Sequence, residues 1–161
     1  MSGLDATAMR ALELKIPPPV VALLVAVAMW GASRRSVDPL PTELVRVSLA
    51  IAFAVVGAAF DLSGLVAFRR AKTTVNPMRP RSTSSLVASG VYRLTRNPMY
   101  VGLALILCGW AVYLWSWWAL PGPFAFAAYV DRFQIVPEER ALSASFGANY
   151  LAYKNRVRRW L

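Results

Sequence analysis

Four apolar runs follow one another along the chain, separated by short polar and mostly basic stretches. A helix needs roughly 20 apolar residues to cross a bilayer, and each run is measured against that length. The first, Pro18 to Ser33, is short and starts inside the breaker Pro17-Pro18-Pro19. Arg10 and Lys15 before it, with Gly31 and Ser33 at its end, would suit a signal peptide, but the prolines and Trp30 favour a retained anchor. The second covers 44–68, with Arg46 near one end and Asp61 towards the other; the third covers 98–118 and the fourth 120–136. Between the last two, Trp115, Trp117 and Trp118 followed by Pro121-Gly122-Pro123 predict an interfacial aromatic belt and a tight hairpin bend. Beyond them Pro137 opens a new helical stretch, with Glu138 and Glu139 in its first turn, where the macrodipole favours acids. Leu142, Phe146, Tyr150, Tyr153, Val157 and Leu161 recur there at helical spacing, which predicts an amphipathic helix on the inner leaflet. The expected fold is all-α: a polytopic transmembrane helical bundle with about four membrane-spanning helices plus a C-terminal amphipathic cytoplasmic helix, in a single domain over residues 1–161.

Composition agrees with a bilayer protein. Of 161 residues 57% are hydrophobic and 16% charged, whereas soluble domains average about a quarter charged. The net charge of +10 falls in two blocks, the loop 69–96 and the C-terminal Lys154, Arg156, Arg158 and Arg159. Both blocks are expected at the cytoplasmic face beside anionic lipid, and no nucleic-acid partner is expected. Cys108 is the single cysteine, so no intrachain disulfide can form, and the absence of histidine rules out imidazole ligands and imidazole bases.

The junction "RLTRNPMYVG", residues 93–102, is where candidate chemistry concentrates. Asn97 is a good N-cap and Pro98 suits a first helical turn, so the third helix is predicted to start here with its free amides facing the cytoplasm. With Arg93 and Arg96 beside it, that helix end favours an anion such as a carboxylate or phosphate. Glu138 lies on the same side of the membrane, where a carboxylate is costly and could receive an ammonium or ribose hydroxyls. Together the two suit a zwitterion. Snorkelling arginines and interfacial tyrosines are the plainer account of the junction taken alone.

The stretches "SSLVASGVYRLTRNPMYVG" and "PEERALSASFGANYLAYKNRVRRWL" resemble the integral-membrane methyltransferases of the isoprenylcysteine carboxyl methyltransferase type, whose superfamily includes the phospholipid N-methyltransferases. The resemblance runs from near Asn76 to the C-terminus, about 76–161, and rests on both motifs at this spacing. It implies S-adenosylmethionine in a cytoplasm-facing pocket. The cofactor contacts it assigns fall on Ser84, Ser85, Leu86 and Val87, on Tyr92, on Asn97, Pro98, Met99 and Tyr100, and on Glu138, with Arg96 added by its place at the helix end. The sequence departs from the eukaryotic isoprenylcysteine enzymes at two places: they carry His where Asn97 stands, and their substrate-facing arginine falls by register on Gln134. Arg132 or Arg140 is the expected replacement, and Glu139 joins them as a candidate catalytic group. The Asn-Pro-Met-Tyr form is closer to bacterial relatives and to phospholipid N-methyltransferases, which implies a bacterial inner membrane with the active site facing the cytoplasm.

Methyl transfer from a sulfonium is an in-line displacement that depends mainly on alignment. A carboxylate acceptor needs no base, whereas an amine or thiol must first lose a proton, with Asp61, Asp131, Glu139 or a tyrosinate available to take it. The expected activity is therefore methylation of a lipophilic acceptor, an isoprenylcysteine-type carboxylate or similar group, with phospholipid N-methylation or small-thiol S-methylation as alternatives. A nicotinamide-dependent sterol-type reductase would need a longer chain, and a non-catalytic protein binding anionic membrane lipids would be indifferent to Tyr100 and Glu138.

Overall fold

A computed structural model describes residues 13–34, 42–71 and 86–161. Ser84, Ser85 and most of the basic loop lie outside the described residues. Helix α1 spans Pro18–Ser33, α2 Glu43–Arg70, α3 Pro98–Leu114, α4 Pro121–Val130 and α5 Val136–Arg156, and there is no strand among the described residues. Short 3-10 turns occupy Gly90–Arg93 and Trp117–Ala119. The all-helical expectation holds. Helix α2, with 28 residues, is long and apolar enough to cross a membrane, while α1 and α3 are apolar but shorter, about 24 and 26 Å at 1.5 Å per residue.

Proline sets three of the five starts. Pro18, Pro98 and Pro121 sit in first turns, where no intrahelical acceptor exists for the N–H that proline lacks. Two boundaries differ from expectation. The third apolar helix stops at Leu114, not 118, because Trp115 turns left-handed at φ 46°, and the Ser116 hydroxyl then accepts from the Trp118 amide at 3.3 Å to start the 3-10 turn. The fourth does not end before Pro137. Helix α4 runs into α5 through a π turn at Asp131–Ile135, so the expected separate C-terminal helix is a continuation.

That π turn has a cause in the sequence. Pro137 has no N–H to offer the Phe133 carbonyl four residues earlier, and the Leu14 amide donates to that carbonyl instead, at 3.0 Å. The N-terminal segment is thereby laced across the start of α5. Further on, Gly147 adopts φ 50°, ψ −123° and breaks α5, so the apolar stripe does not lie on one straight face. Tyr150 and Tyr153 are buried with Ala67, Val87 and Tyr92, and Leu142, Phe146 and Val157 pack on the same cluster. The stripe is thus covered by protein, while Leu161 is exposed.

Helices α2 and α3 pack antiparallel with backbone against backbone. A Cβ on Gly57 would stand 2.6 Å from the Gly102 carbonyl oxygen, and one on Gly109 2.8 Å from that of Ala50. Helices α1, α3 and α4 close over the second cluster, which includes Val21, Met29, Tyr100, Leu107, Phe126 and Ile135. The outer faces carry exposed Leu23, Leu24, Val55, Leu62 and Phe124, as a lipid-facing surface does.

Candidate cofactor site

The junction before α3 is held by the end of the chain. After Arg156 the C-terminal arm leaves the helix, Val157 is extended at φ −124°, ψ 133°, and the arm runs along the loop. The Arg96 amide donates to the Arg158 carbonyl at 3.0 Å. The carbonyl of Arg159 accepts from the hydroxyl of Thr95 at 3.1 Å and from the side-chain amide of Asn97 at 2.9 Å. Asn97 does occupy the N-cap position, but its side chain makes no cap bond. The group that the resemblance assigns to the cofactor is turned to the C-terminal arm, and the Thr95 hydroxyl accepts from the Asn97 amide at 3.2 Å.

From this anchored start α3 presents Tyr100, whose hydroxyl donates to Oε1 of Glu138 at 2.6 Å. Two residues 38 apart in sequence, both assigned to the cofactor, therefore meet directly. Burial pushes Glu138 up to about 8; the bond from Tyr100 pulls it down, and the neighbouring Glu139 charge pushes it up again. Near neutral pH it is mostly protonated, and a cation brought beside it would ionise it. Tyr92, buried against the edge of Phe68 with ring centroids 5.5 Å apart, turns its hydroxyl towards Gly64 of α2. The Tyr153 hydroxyl donates to the Tyr92 carbonyl at 2.7 Å, and Met99 lies against Gly64. Leu86 and Val87 pack beneath Tyr92 in the tyrosine cluster. Burial raises the phenols of Tyr92, Tyr150 and Tyr153, which argues against any of them as a tyrosinate base near neutral pH.

Glu139 has a different setting from its neighbour. It is ion-paired with Arg96 at 3.1 Å, Arg159 at 2.8 Å and Lys154 at 3.3 Å. Burial would raise its pKa, but the Arg159 hydrogen bond and the surrounding positive charges outweigh that and lower it. Arg159 also reaches Asp131 Oδ1 at 3.1 Å, so one guanidinium joins the π turn, α5 and the arm. Glu139 is engaged as an ion-pair centre, whereas Glu138, among the described residues, takes its side-chain hydrogen bond from Tyr100. The side chain of Arg96 is 9% exposed, and its Nε and Nη1 are buried without hydrogen-bond partners. Buried guanidinium donors of that kind call for an anion. The unpartnered Nε and Nη1 of Arg96 before α3 can receive an anion, and Glu138 can receive a cation that ionises it.

The expected acceptor-side residues point elsewhere. Arg132 and Arg140 both clasp Glu13, at 2.8 and 2.6 Å, and Gln134 is fully buried with its amide donating to the Ile16 carbonyl at 2.7 Å. These three side chains tie down the N-terminal segment. Glu13, Thr95 and Arg159 organise the site without having stood out in the sequence, since contacts spanning 62 to 127 residues leave no periodicity to read.

No solved structure matches the chain. An uncharacterised protein of Haemophilus influenzae is 43% identical over 63 residues, which is 39% of this chain and 100% of that protein. The family model for phospholipid methyltransferases matches residues 45–149, a stretch that includes α2, the junction, Tyr100 and Glu138. On that match the chain belongs to the phospholipid methyltransferase family.

Proposed function

We propose that this protein transfers a methyl group from S-adenosylmethionine to a lipophilic acceptor at the cytoplasmic membrane face. The observation that carries the reading is the direct bond between Tyr100 and Glu138, taken with the Nε and Nη1 of Arg96 that stay unpartnered while its Nη2 pairs with Glu139. The cofactor supplies an electrophilic methyl on a sulfonium. The protein binds and aligns. Arg96 receives the carboxylate, and Glu138, oriented by Tyr100, receives the ammonium or the ribose hydroxyls. Leu86, Val87, Tyr92, Pro98 and Met99 wall the pocket, and Ser84 and Ser85, which lie outside the described residues, are cofactor contacts by the resemblance alone. Positioning of this kind can supply about 7 to 11 kcal/mol of the barrier reduction, which suits a site whose ionisable groups are mostly paired.

With α1, α2, α3 and α4 as the four spans and the basic segments inside, the pocket lies at the inner leaflet of a bacterial cytoplasmic membrane. The cofactor then enters from water and the acceptor from lipid. Among acceptors, family membership and the engagement of Arg132 and Arg140 by Glu13 support a phospholipid-type amine over an isoprenylcysteine-type carboxylate or a small thiol. Titration calorimetry of detergent-purified protein with S-adenosylmethionine and S-adenosylhomocysteine tests the core claim. Saturable binding that is lost in Glu138→Ala and Tyr100→Ala is expected. Absence of heat from folded protein would sink the reading and leave an anionic-lipid-binding protein.

A further inference from the structure

Asp61 is an ionisable side chain towards the cytoplasmic end of α2, the helix long and apolar enough to cross a membrane, and lies within an expected membrane span. Its Oδ1 is buried and has no hydrogen-bond partner. An acid in that setting destabilises a membrane helix that a leucine would serve better, so it calls for a reason other than packing. Its place is specific. Gly57, Asp61 and Gly64 recur at spacings of four and three along α2, on the face turned to α3. Gly102 of α3 stands opposite, where a Cβ would collide with the Asp61 carboxylate. Helix α3 therefore leaves a side-chain-sized gap that the carboxylate fills.

The gap adjoins the candidate cofactor site. Gly64, one turn from Asp61 towards the cytoplasm, lies against Met99 and Pro98, and a Cβ on it would stand 3.7 Å from the Tyr92 hydroxyl. One turn is about 5 Å of rise. The carboxylate thus sits just deeper in the membrane than the tyrosine that walls the site. Beside it Leu62 and Val66 of α2 are exposed on the lipid-facing surface. A half-buried carboxylate at the seam of two helices, with its Oδ1 unpartnered and exposed Leu62 and Val66 on the same helix, is complementary to a cation that arrives from lipid.

We propose that Asp61 is the acceptor-site carboxylate, which seats the ammonium of an amine-bearing lipid headgroup and takes the proton that the amine must lose. This rests on the methyltransferase reading above. The balance is simple. The ammonium N–H proton passes to Asp61, and the freed nitrogen lone pair forms the new bond to the methyl carbon. The carbon–sulfur bond breaks with its electron pair left on sulfur, giving the neutral thioether and a methylated ammonium. A carboxylate acceptor would need none of this, and Asp61 would repel it.

The test uses the full-length protein in vesicles containing phosphatidylethanolamine, with S-adenosylmethionine labelled in its methyl group; parallel vesicles contain a farnesylated cysteine or a long-chain thiol instead. Asp61→Asn, close to isosteric, and Gly102→Ala, which crowds both the carboxylate and the Gly57 backbone carbonyl without altering charge, are compared with wild type for transfer, for cofactor affinity by calorimetry and for melting temperature, so that slowing through lost helix packing is told apart from slowing at the carboxylate. The expected result is labelled phosphatidylethanolamine from wild type and a loss of about a hundredfold or more in Asp61→Asn. Gly102→Ala should be slowed too, and cofactor affinity should stay within about twofold in both. Wild-type rates in Asp61→Asn, loss of cofactor binding in both variants, or label only in the farnesylated cysteine, only in the thiol or in no acceptor would each overturn the assignment of Asp61. If wild type binds no cofactor at all, the methyltransferase reading itself fails.

Discussion

The hydroxyl of Tyr100 and the carboxyl of Glu138 are 2.6 Å apart, joining the start of α3 to the start of α5. Once a bound cation has ionised Glu138, the bond is one to a charged group, worth about 1.5–3 kcal/mol. Tyr100→Phe keeps the ring in the α1–α3–α4 cluster and removes only that bond, so cofactor affinity should fall by about tenfold or more with little change in thermal stability. Calorimetry beside a melting curve separates the two effects. Equal loss in both would mean that the pair serves the fold.

Glu138 should make cofactor binding depend on pH. Its pKa is raised to about 8 from an ordinary 4.5, so the folded protein holds a proton that the unfolded chain releases. The stability contributed by this group is full below the unfolded value and is lost as pH rises from about 4.5 to 8. Cation binding runs the other way, because a positive group favours the ionised carboxylate. Affinity for S-adenosylmethionine should strengthen from pH 6 to 8, by at most about tenfold per unit, with proton release, and then level off. Calorimetry in buffers of different ionisation enthalpy measures that proton. In Glu138→Gln the slope should vanish.

Arg159 should matter more than a basic tail on a lipid surface would. Removing one partner of a buried ion pair costs about 3–5 kcal/mol, and because the Arg159 and Asp131 side chains are 33% and 36% exposed a value near 2 kcal/mol is expected for Arg159→Ala. Melting temperature in detergent reads the loss, and removal of residues 157–161 should cost more, since the carbonyls that receive Thr95, Arg96 and Asn97 go too. If Arg159→Ala melts like wild type, the arm is not a structural clasp.

The α2–α3 contact gives a paired test on glycines. Gly57→Ala should destabilise by about 1–3 kcal/mol, as overpacking does, because its Cβ would stand 2.6 Å from a backbone carbonyl. Gly31→Ala, with nothing within 4 Å, should be neutral or stabilise by about 0.5–1 kcal/mol through helix propensity. Chemical denaturation of both variants in one detergent compares them, and similar values would contradict direct backbone packing.

The sequence by itself determined the helical class, the position of α2, the proline-marked starts of α1 and α3, and the two short motifs whose residues meet as Tyr100 and Glu138. Those features are local: propensity, proline geometry and apolar run length act within one or two turns. Only the tertiary structure decided where the side chains go. Asn97 reads as a cap and points to Arg159; Arg132 and Arg140 read as acceptor groups and hold Glu13; Glu138 and Glu139 are adjacent, yet the first carries a raised pKa and the second is neutralised by three cations. Burial and pairing of charges depend on partners far along the chain, and no periodicity in the sequence encodes which partner arrives. The left-handed Trp115 and the kink at Gly147 likewise depend on what the following segment packs against, so the third helix ends early and the apolar stripe of α5 closes on protein.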